Sequence, residues 1–341
     1  MLLMCTHSLV GNLSLWSIIQ TLVDFRNRVQ HGYSEKGMKH KSYEFYSIFR
    51  SVITFYKFSV TVSFFTMIDC HTHTTNSPDA ESSPIEMVQK GIELGLDVMA
   101  ITDHCEVNMW YNKEHYKKTF DYDDYNYQKS FEQSLVDSSK LKDTFKDDIK
   151  ILRGIELGQA FMDFSLAEKI VSDSRLDFIL GSVHQIDGFP DFFIIDYSKV
   201  NLKTLIKGYL LTVLKLCRWG KFDVLAHLTY PLRYIYENGY SLDMSQFNDV
   251  ISDIFKTIIS KNIGLEVNSS GLRQKCGFSF PTIEYVEMYK SLGGSIISVG
   301  SDAHSTDQLG KNIQDCIDMI KSCGFEYLTY FENRNPVKYN I

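Results

Sequence analysis

Two histidines one residue apart, His71 and His73, follow a short apolar run in the stretch MIDCHTHTTNSPDA, and Asp79 follows six residues later. Side chains at alternate positions of a strand point to the same face, so both imidazoles can bind one metal ion. A lone HxH pair is weak evidence, because a structural role explains it equally well. Asp79 follows Pro78 and fits a turn residue as well as a ligand. The stretch therefore suggests a metal site that needs support from the rest of the chain.

Residue types that bind metals recur at the ends of apolar segments along the chain. Six of the ten histidines stand in such positions. The histidines and acids at the ends of these segments are His71, His73, Asp103, His104, Glu156, His184, His227, Asp302 and His304. Imidazoles combined with carboxylates suit Zn, Mn or Fe, and a carboxylate can bridge two ions. Two ions roughly 3.5–4 Å apart can activate a water and clamp a phosphoryl oxygen, as in many phosphatases. We therefore expect a multinuclear metal site rather than a closed structural zinc site.

Seven short apolar segments predict the strands that position these residues. They are MIDCHTH, LDVMAITDH, IKILRGIELG, LDFILGSVH, FDVLAH, IGLEVN and GSIISVGSDAH, with helical patterns between them. The first helix is predicted to begin after Ser83, with Glu86 completing a capping box, and to end at Gly95. Alternating strands and helices imply parallel strands joined by helical crossovers. The carboxyl ends of such strands converge on one face of a barrel, so the polar residues would meet in one pocket.

Composition indicates a globular protein with a sizeable core. Of 341 residues, 44% are apolar and 23% are charged, which suits one large domain or two modest ones. The net charge of −7 argues against a nucleic-acid partner. The seven cysteines form no CxxC pair and their number is odd, so we expect reduced thiols in a cytoplasmic protein rather than a disulfide framework.

Residues 1–66 differ in composition from the rest of the chain. Seven basic and three acidic residues give this segment +4, which leaves −11 for residues 67–341. It has no basic region before its apolar start, unlike a secretory signal. Its apolar runs are interrupted by polar and charged residues, which argues against membrane association. We expect residues 1–66 to be an extension of doubtful fold, with Met67 as the start of the functional protein and residues 67–341 as a metal-dependent phosphatase barrel.

Residues 67–341 resemble the polymerase and histidinol phosphatase (PHP) family. The motifs that carry the resemblance are DCHTHTTNSPDA, AITDHCE, RGIELG, GSVHQIDG, LAHLTYPLR, LEVNSSGLR and SVGSDAHSTDQLG. Within the family, GSVH, LEVNSSG and GSDAH look most like the histidinol-phosphate phosphatase branch. The resemblance implies a distorted seven-stranded (β/α) TIM-like barrel that hydrolyses L-histidinol phosphate in histidine biosynthesis. Phosphotyrosine, a nucleotide or a sugar phosphate is the alternative substrate, because a fold does not fix a substrate.

The resemblance also implies three divalent ions, which would be Zn, Mn or Fe. By motif position, the first ion would take His71, His73, Glu156 and Asp302, the second would share Glu156 and take His184 and His227, and the third would take Asp79, His104 and His304. Many family members have histidine where this chain has Asp79. An aspartate there is an acceptable ligand that can alter which metal is preferred.

Two arginines follow site-facing strand ends and are candidates to bind phosphate. Arg233 in YPLRY and Arg273 in SSGLRQ can each bind a phosphate with two nitrogens. The alternative is that both are solvated surface arginines, the usual fate of a loop arginine. Arg153 precedes Glu156 in the third strand and has a weaker claim. Asp103 is predicted to orient a metal-binding imidazole, as an acid adjoining His104.

The aromatic and charged segment after His104 is the least regular part of the barrel sequence. Residues 106–127 can form a lid that selects the leaving group or a plain surface loop. We expect a small-molecule phosphate monoester as partner, and a homo-oligomer is compatible with the sequence. An inactive PHP-like module is the third hypothesis. The full set of candidate ligands argues against it.

Overall fold

The computed structural model of the chain describes residues 67–110 and 126–341. The predictions made for residues 1–66, and for most of the segment after His104, lie outside these ranges. Eight strands of the described part form one sheet. They are β1 (Met67–Thr72), β2 (Leu96–Ile101), β3 (His104–Glu106), β4 (Lys150–Gly158), β5 (Phe178–Ser182), β6 (Val224–Leu225), β7 (Gly264–Asn268) and β8 (Ile297–Gly300).

Seven of these strands form a parallel barrel in the order β1-β2-β4-β5-β6-β7-β8. The ring closes between β8 and β1, where Asp302 N donates to His71 O at 2.8 Å and His73 N donates to Ala303 O at 2.8 Å. The α/β TIM-like barrel predicted from the alternating segments is confirmed. Because all seven strands run in the same direction, their carboxyl ends share one face, and the predicted site residues lie there.

The helices connect the strands on the outside of the barrel. They are α1 (Pro84–Leu94), α2 (Tyr127–Thr144), α3 (Phe164–Val171), α4 (Leu202–Trp219), α5 (Leu232–Glu237), α6 (Asn248–Ser260), α7 (Ile283–Ser291) and α8 (Ile313–Ser322). The predicted boundaries of α1 are confirmed. Ser83 and Glu86 form a capping box, and Gly95 ends the helix in the left-handed region at φ 75°. No helix in the described ranges is long and apolar enough to cross a membrane.

Two elements of the fold were not predicted. The first is β3, a three-residue strand that pairs with the end of β4, where His104 lies beside Glu156 and Glu106 beside Gly158. The second is an antiparallel hairpin of β9 (Tyr327–Glu332) and β10 (Asn335–Asn340). Its turn covers the amino-terminal end of the barrel, where Arg334 Nε donates to Asp223 at 2.7 Å. This end carries structural contacts, whereas the opposite end carries the candidate site.

The core consists of the strands and the helix faces that cover them. Ile68, Leu180, Leu265 and Val299 are fully buried members of four different barrel strands. Their side chains form one contiguous apolar cluster with the inner faces of the surrounding helices. Burial of this apolar surface holds the strand ends in fixed positions. The barrel is therefore a rigid support for the polar residues at its carboxyl face.

Candidate metal centre

Four predicted ligands from three strand ends form the first group of the site. His71 and His73 lie at the end of β1, Glu156 lies in β4, and Asp302 follows β8. His71 Nε2 is 3.1 Å from His73 Nε2, and His73 Nε2 is 3.3 Å from Asp302 Oδ1. Both imidazoles are 3.6 Å from Glu156 Oε2. Atoms about 2.0–2.1 Å from one tetrahedral ion lie about 3.3 Å apart, so this spacing fits a single bound metal.

The second group joins the first through the carboxylate of Glu156. Its oxygen Oε1 is 2.9 Å from His184 Nε2 and 2.7 Å from His227 Nε2. The other oxygen, Oε2, faces the first group. Glu156 Oε2 is buried, and His104 Nδ1 lies 2.8 Å from it without hydrogen-bond geometry. An unsatisfied buried carboxylate oxygen is costly, and a cation would satisfy it. The residues therefore fit metal ions on both sides of Glu156.

The third group is more open to solvent and contains Asp79, His104 and His304. His104 Nε2 is 3.6 Å from Asp79 Oδ1, and His304 Nε2 is 3.3 Å from Asp79 Oδ2. The Asp79 side chain is 40% exposed, whereas His71 and His73 are completely buried. The nitrogens of His73, His104 and His304 lie within 4.8 Å of one another, so the third group adjoins the first. The structure thus brings all nine predicted ligand residues to one place.

Three imidazoles of the site are oriented by neighbouring side chains. His71 Nδ1 donates to Glu266 Oε1 at 2.7 Å, and His184 Nδ1 donates to Glu106 Oε1 at 2.9 Å. A carboxylate accepts hydrogen bonds only, so Nδ1 of each ring carries a proton, and in the neutral ring that binds a metal the lone pair lies on Nε2. In both residues Nε2 is the atom that faces the metal groups. Glu266 and Glu106 therefore fix the tautomer that a metal requires.

His73 is oriented through a hydroxyl group. Ser77 donates its proton to Asp103 Oδ1 at 2.9 Å, so its oxygen is left to accept from His73 Nδ1 at 3.2 Å. The buried Asp103 carboxylate also accepts from Thr74 N at 2.7 Å and Ser134 Oγ at 2.6 Å. Asp103 does not touch an imidazole directly. It acts on His73 through Ser77 rather than on its neighbour in the sequence.

The sequence analysis assigned no role to Glu266, Glu106 or Ser77. One signal was available for Glu266, which is an acid inside the otherwise apolar segment IGLEV. Its side chain is 1% exposed, and a buried acid generally has a specific partner. Ser77 gives no such signal, because serine is common in turns. The position of Glu106 depends on β3, which was not predicted.

The carboxylates and imidazoles of the site shift one another's pKa values. Burial lowers the pKa of His71, but the carboxylates of Glu266, Asp302 and Glu156 outweigh burial and raise this pKa well above its ordinary value. Burial raises the pKa of Glu156, but the surrounding histidines outweigh burial and hold this pKa well below its ordinary value. The carboxylates thus remain ionised and favour positive charge at the centre of the site.

Two ligand residues have strained backbones. Asp302 has φ 55° and His227 has φ 21°, values that residues other than glycine rarely adopt. Each such conformation costs on the order of 1–3 kcal/mol and persists only where the surroundings enforce it. For Asp302, the enforcing contact is its own N–H, which donates to His71 O across the closure of the barrel. Both strained ligands lie just after the carboxyl ends of barrel strands, Asp302 after β8 and His227 after β6.

The metal groups open into a cavity of about 590 Å³ whose wall contains both predicted arginines. Arg273 Nη2 donates to the backbone oxygen of Ser301 at 2.6 Å and to that of Asp302 at 3.1 Å. Its Nη1 is buried and has no partner among the described residues. When its amide oxygen faces Arg233, Gln274 accepts from Arg233 Nε at 3.1 Å. This wall suits an anion, because it contains two arginines and one of them, Arg273, has an unpaired N–H donor.

Arg153 lies elsewhere. Its guanidinium donates to both oxygens of Asp177, at 3.0 Å from Nε and 3.1 Å from Nη2. Asp177 also accepts from Lys142 at 2.8 Å and from Asn333 N, in the turn of the hairpin, at 3.2 Å. Arg153 therefore forms structural contacts at the amino-terminal end of the barrel. This agrees with its lower ranking, after Arg233 and Arg273, as a candidate to bind phosphate.

Comparisons with known proteins show which proteins the chain is similar to. The family model described as PHP domain matches residues 69–270. A probable histidinol-phosphatase of Clostridium acetobutylicum is 26% identical over 272 residues, which cover 79% of this chain and 98% of that protein. A probable histidinol-phosphatase of Thermotoga maritima is 28% identical, with 77% and 94% covered. Among solved structures, histidinol phosphate phosphatase from Lactococcus lactis, complexed with zinc, L-histidinol and phosphate, has a TM-score of 0.65 at 24% identity, with 80% and 98% covered.

Proposed function

The chain belongs to the PHP domain family and is a phosphatase of that family, and we propose that its substrate is L-histidinol phosphate, which it hydrolyses to L-histidinol and phosphate. The observation that supports this most is the carboxylate of Glu156, which lies between two groups of histidines beside a cavity that also contains Arg233 and Arg273. This arrangement suits a phosphate ester that is held by cations on two sides. The names of the relatives favour L-histidinol phosphate over other monoesters.

We assign three divalent ions, Zn, Mn or Fe, to the three groups of side chains. The first ion would take His71, His73, Glu156 and Asp302, the second Glu156, His184 and His227, and the third Asp79, His104 and His304. The buried oxygen Glu156 Oε2 faces the Nε2 atoms of His71 and His73 at 3.6 Å and His104 Nδ1 at 2.8 Å, without hydrogen-bond geometry to any of them, and this supports ions around the Glu156 carboxylate. Imidazole with carboxylate is a donor set that suits each of these metals.

Divalent ions in such a site supply a nucleophile at neutral pH and stabilise charge on a phosphoryl group. The contribution of the chain is to hold the ester in place. Arg273, with its unpaired Nη1, and Arg233 bind the phosphate oxygens from the wall of the cavity. Glu266, Glu106 and Asp103 keep the imidazoles in their working tautomers.

A panel of phosphate monoesters tests this function. We expect phosphate release from L-histidinol phosphate to exceed release from phosphotyrosine, a nucleotide and a sugar phosphate. His71→Ala and Asp302→Ala should each abolish turnover, because each removes a ligand of the first group. Glu93→Gln is the matched control, since the Glu93 side chain is 71% exposed on α1 and contacts Lys90. Strong hydrolysis of another monoester without release from L-histidinol phosphate would overturn the assignment of the substrate.

A further inference from the structure

We propose that Asp191 binds the positively charged part of the leaving alcohol and so selects phosphate esters of cationic alcohols. This inference rests on the proposed function and adds to it the residue that binds the positively charged group of the substrate. Asp191 lies on the loop after β5 and forms part of the cavity wall. The phosphate would lie toward Arg233 and Arg273, and the cationic group of the same molecule would lie toward Asp191.

Asp191 differs from the buried acids in the wall of the cavity in having no cationic partner among the described residues. Glu81, the other acid of the wall without such a partner, is exposed. Glu106, Glu156 and Asp302 each lie within 4.0 Å of a histidine nitrogen. The carboxylate of Asp191 accepts one hydrogen bond, from Phe193 N at 2.9 Å. Within residues 67–110 and 126–341, no lysine, arginine or histidine nitrogen lies within ion-pair distance of it. A carboxylate in a partly buried wall gains most from a cation that the substrate brings.

The loop holds Asp191 firmly beside the metal groups. Asp191 forms an isolated antiparallel bridge with Gln185, and Phe192 N donates to His184 O at 3.0 Å. The Phe192 side chain is completely buried and anchors the loop in the core. Gln185 is itself held by Asn108 Nδ2 at 2.9 Å. The carboxylate is therefore positioned before the substrate binds, which reduces the entropy that binding would cost.

The surroundings of Asp191 suit a molecule that carries both an ammonium group and an aromatic ring. The hydroxyls of Tyr230 and Tyr234 lie 2.8 Å apart, and the ring of Phe193 meets the ring of Tyr234 with centroids 6.1 Å apart. Asp191 lines the same cavity as Phe193, Tyr230 and Tyr234. L-histidinol carries an ammonium group and an imidazole ring. An acid beside aromatic faces suits both.

The decisive variant is Asp191→Asn, which keeps the shape of the side chain and removes its charge. We expect kcat/KM for L-histidinol phosphate to fall about 10- to 100-fold, mainly through KM, as for the loss of a hydrogen bond to a charged group. O-phosphoethanolamine, whose alcohol is also cationic, should lose activity in the same direction. Hydrolysis of p-nitrophenyl phosphate, whose leaving group has no positive charge, should change less than about twofold. Asp187→Asn is the matched control, an exposed acid on the same loop.

An unchanged KM for cationic esters in Asp191→Asn would overturn the inference. Equal losses for cationic and uncharged esters would also overturn it, because they would indicate a structural role. The proposed substrate fails separately if the unaltered protein hydrolyses O-phosphoethanolamine but not L-histidinol phosphate. In that case the effect of Asp191→Asn on O-phosphoethanolamine still decides the inference. If the unaltered protein hydrolyses p-nitrophenyl phosphate alone, both proposals are wrong.

Discussion

Replacing Glu266 with glutamine would test whether a buried acid sets the metal-binding form of His71. Glu266 Oε1 accepts from His71 Nδ1 at 2.7 Å, and Oε2 accepts from His227 N at 2.8 Å. Glutamine keeps the volume of the side chain but has one amide oxygen and one NH₂ group. One of the two accepting positions is therefore lost whichever way the amide turns. The variant separates the hydrogen-bonding role of the side chain from its packing.

Each orientation of the new amide disturbs the site. If its NH₂ group faces His227 N, two donors oppose each other in a buried place, which is unfavourable. If it faces His71 Nδ1, the His71 ring must accept there and carry its proton on Nε2. Nε2 is the atom 3.1 Å from His73 Nε2 and 3.6 Å from Glu156, so the proton would occupy the place of the metal. Either outcome weakens metal binding at the first group.

The magnitude follows from the contact that is lost. A hydrogen bond to a charged group contributes about 1.5–3 kcal/mol. Loss of a partner that orients a metal ligand typically reduces metal affinity about 10- to 100-fold, which agrees with that range. We expect Glu266→Gln to lower the affinity for the ion at the first group by this factor. The assay is a competitive titration of metal-free protein with a chelator of known affinity, with Glu93→Gln as the control.

Thermal unfolding of the metal-free variant would show whether the barrel itself is intact. An affinity within about twofold of the unaltered protein, in a variant that folds normally, would refute the reasoning about the tautomer. Such a result would mean that the three other side chains of the first group hold the ion regardless of the state of His71.

Three further predictions follow from single contacts. Ser77→Ala removes the acceptor of His73 Nδ1 and should weaken metal binding about 10-fold in the same titration. Equal affinity would contradict the proposal that Asp103 orients His73 through the Ser77 hydroxyl. Gly300→Ala would place a methyl group 2.3 Å from His71 Cβ and 2.5 Å from Glu266 Oε1, so we expect a loss of about 1–3 kcal/mol of stability by thermal unfolding. Burial would raise the pKa of Asp177, but hydrogen bonds from Arg153 and Lys142 lower it from 3.8 to about 2. Asp177 therefore contributes up to about 2 kcal/mol that is present above pH 3.8 and lost as pH falls through 2. The difference in unfolding free energy between the unaltered protein and Asp177→Asn should shrink over this range, and a constant difference would contradict the ion pair.

Much of the barrel and of the candidate site could be predicted because their signals are local. Each strand segment is short and apolar, and His71, Glu156 and Asp302 each lie in or just after the carboxyl-terminal residues of one of them. Parallel strands then bring these ends together without further information. The start of α1 was also predictable, since a capping box lies within four residues.

The positioning contacts could not be predicted because they join distant parts of the chain. Glu266 meets His71 across 195 residues, and this contact exists only once β7 and β8 have closed against β1. Ser134 reaches Asp103 from α2, beyond a segment that gave no periodic signal. Arg153 precedes Glu156 by three residues in one strand, yet its side chain contacts Asp177 at the other end of the barrel. The position of a residue in the sequence does not predict toward which end of a strand its long side chain makes contacts.

The most direct test is phosphate release from L-histidinol phosphate as metal is restored to the stripped protein. We expect no turnover after chelation and a rise to a maximum as up to three equivalents of Zn or Mn bind per chain. His71→Ala should stay inactive at every metal concentration. Turnover that survives complete removal of metal would show that the protein does not hydrolyse the ester through bound metal. Either that result or a fully loaded protein that releases no phosphate from L-histidinol phosphate would contradict the proposed function.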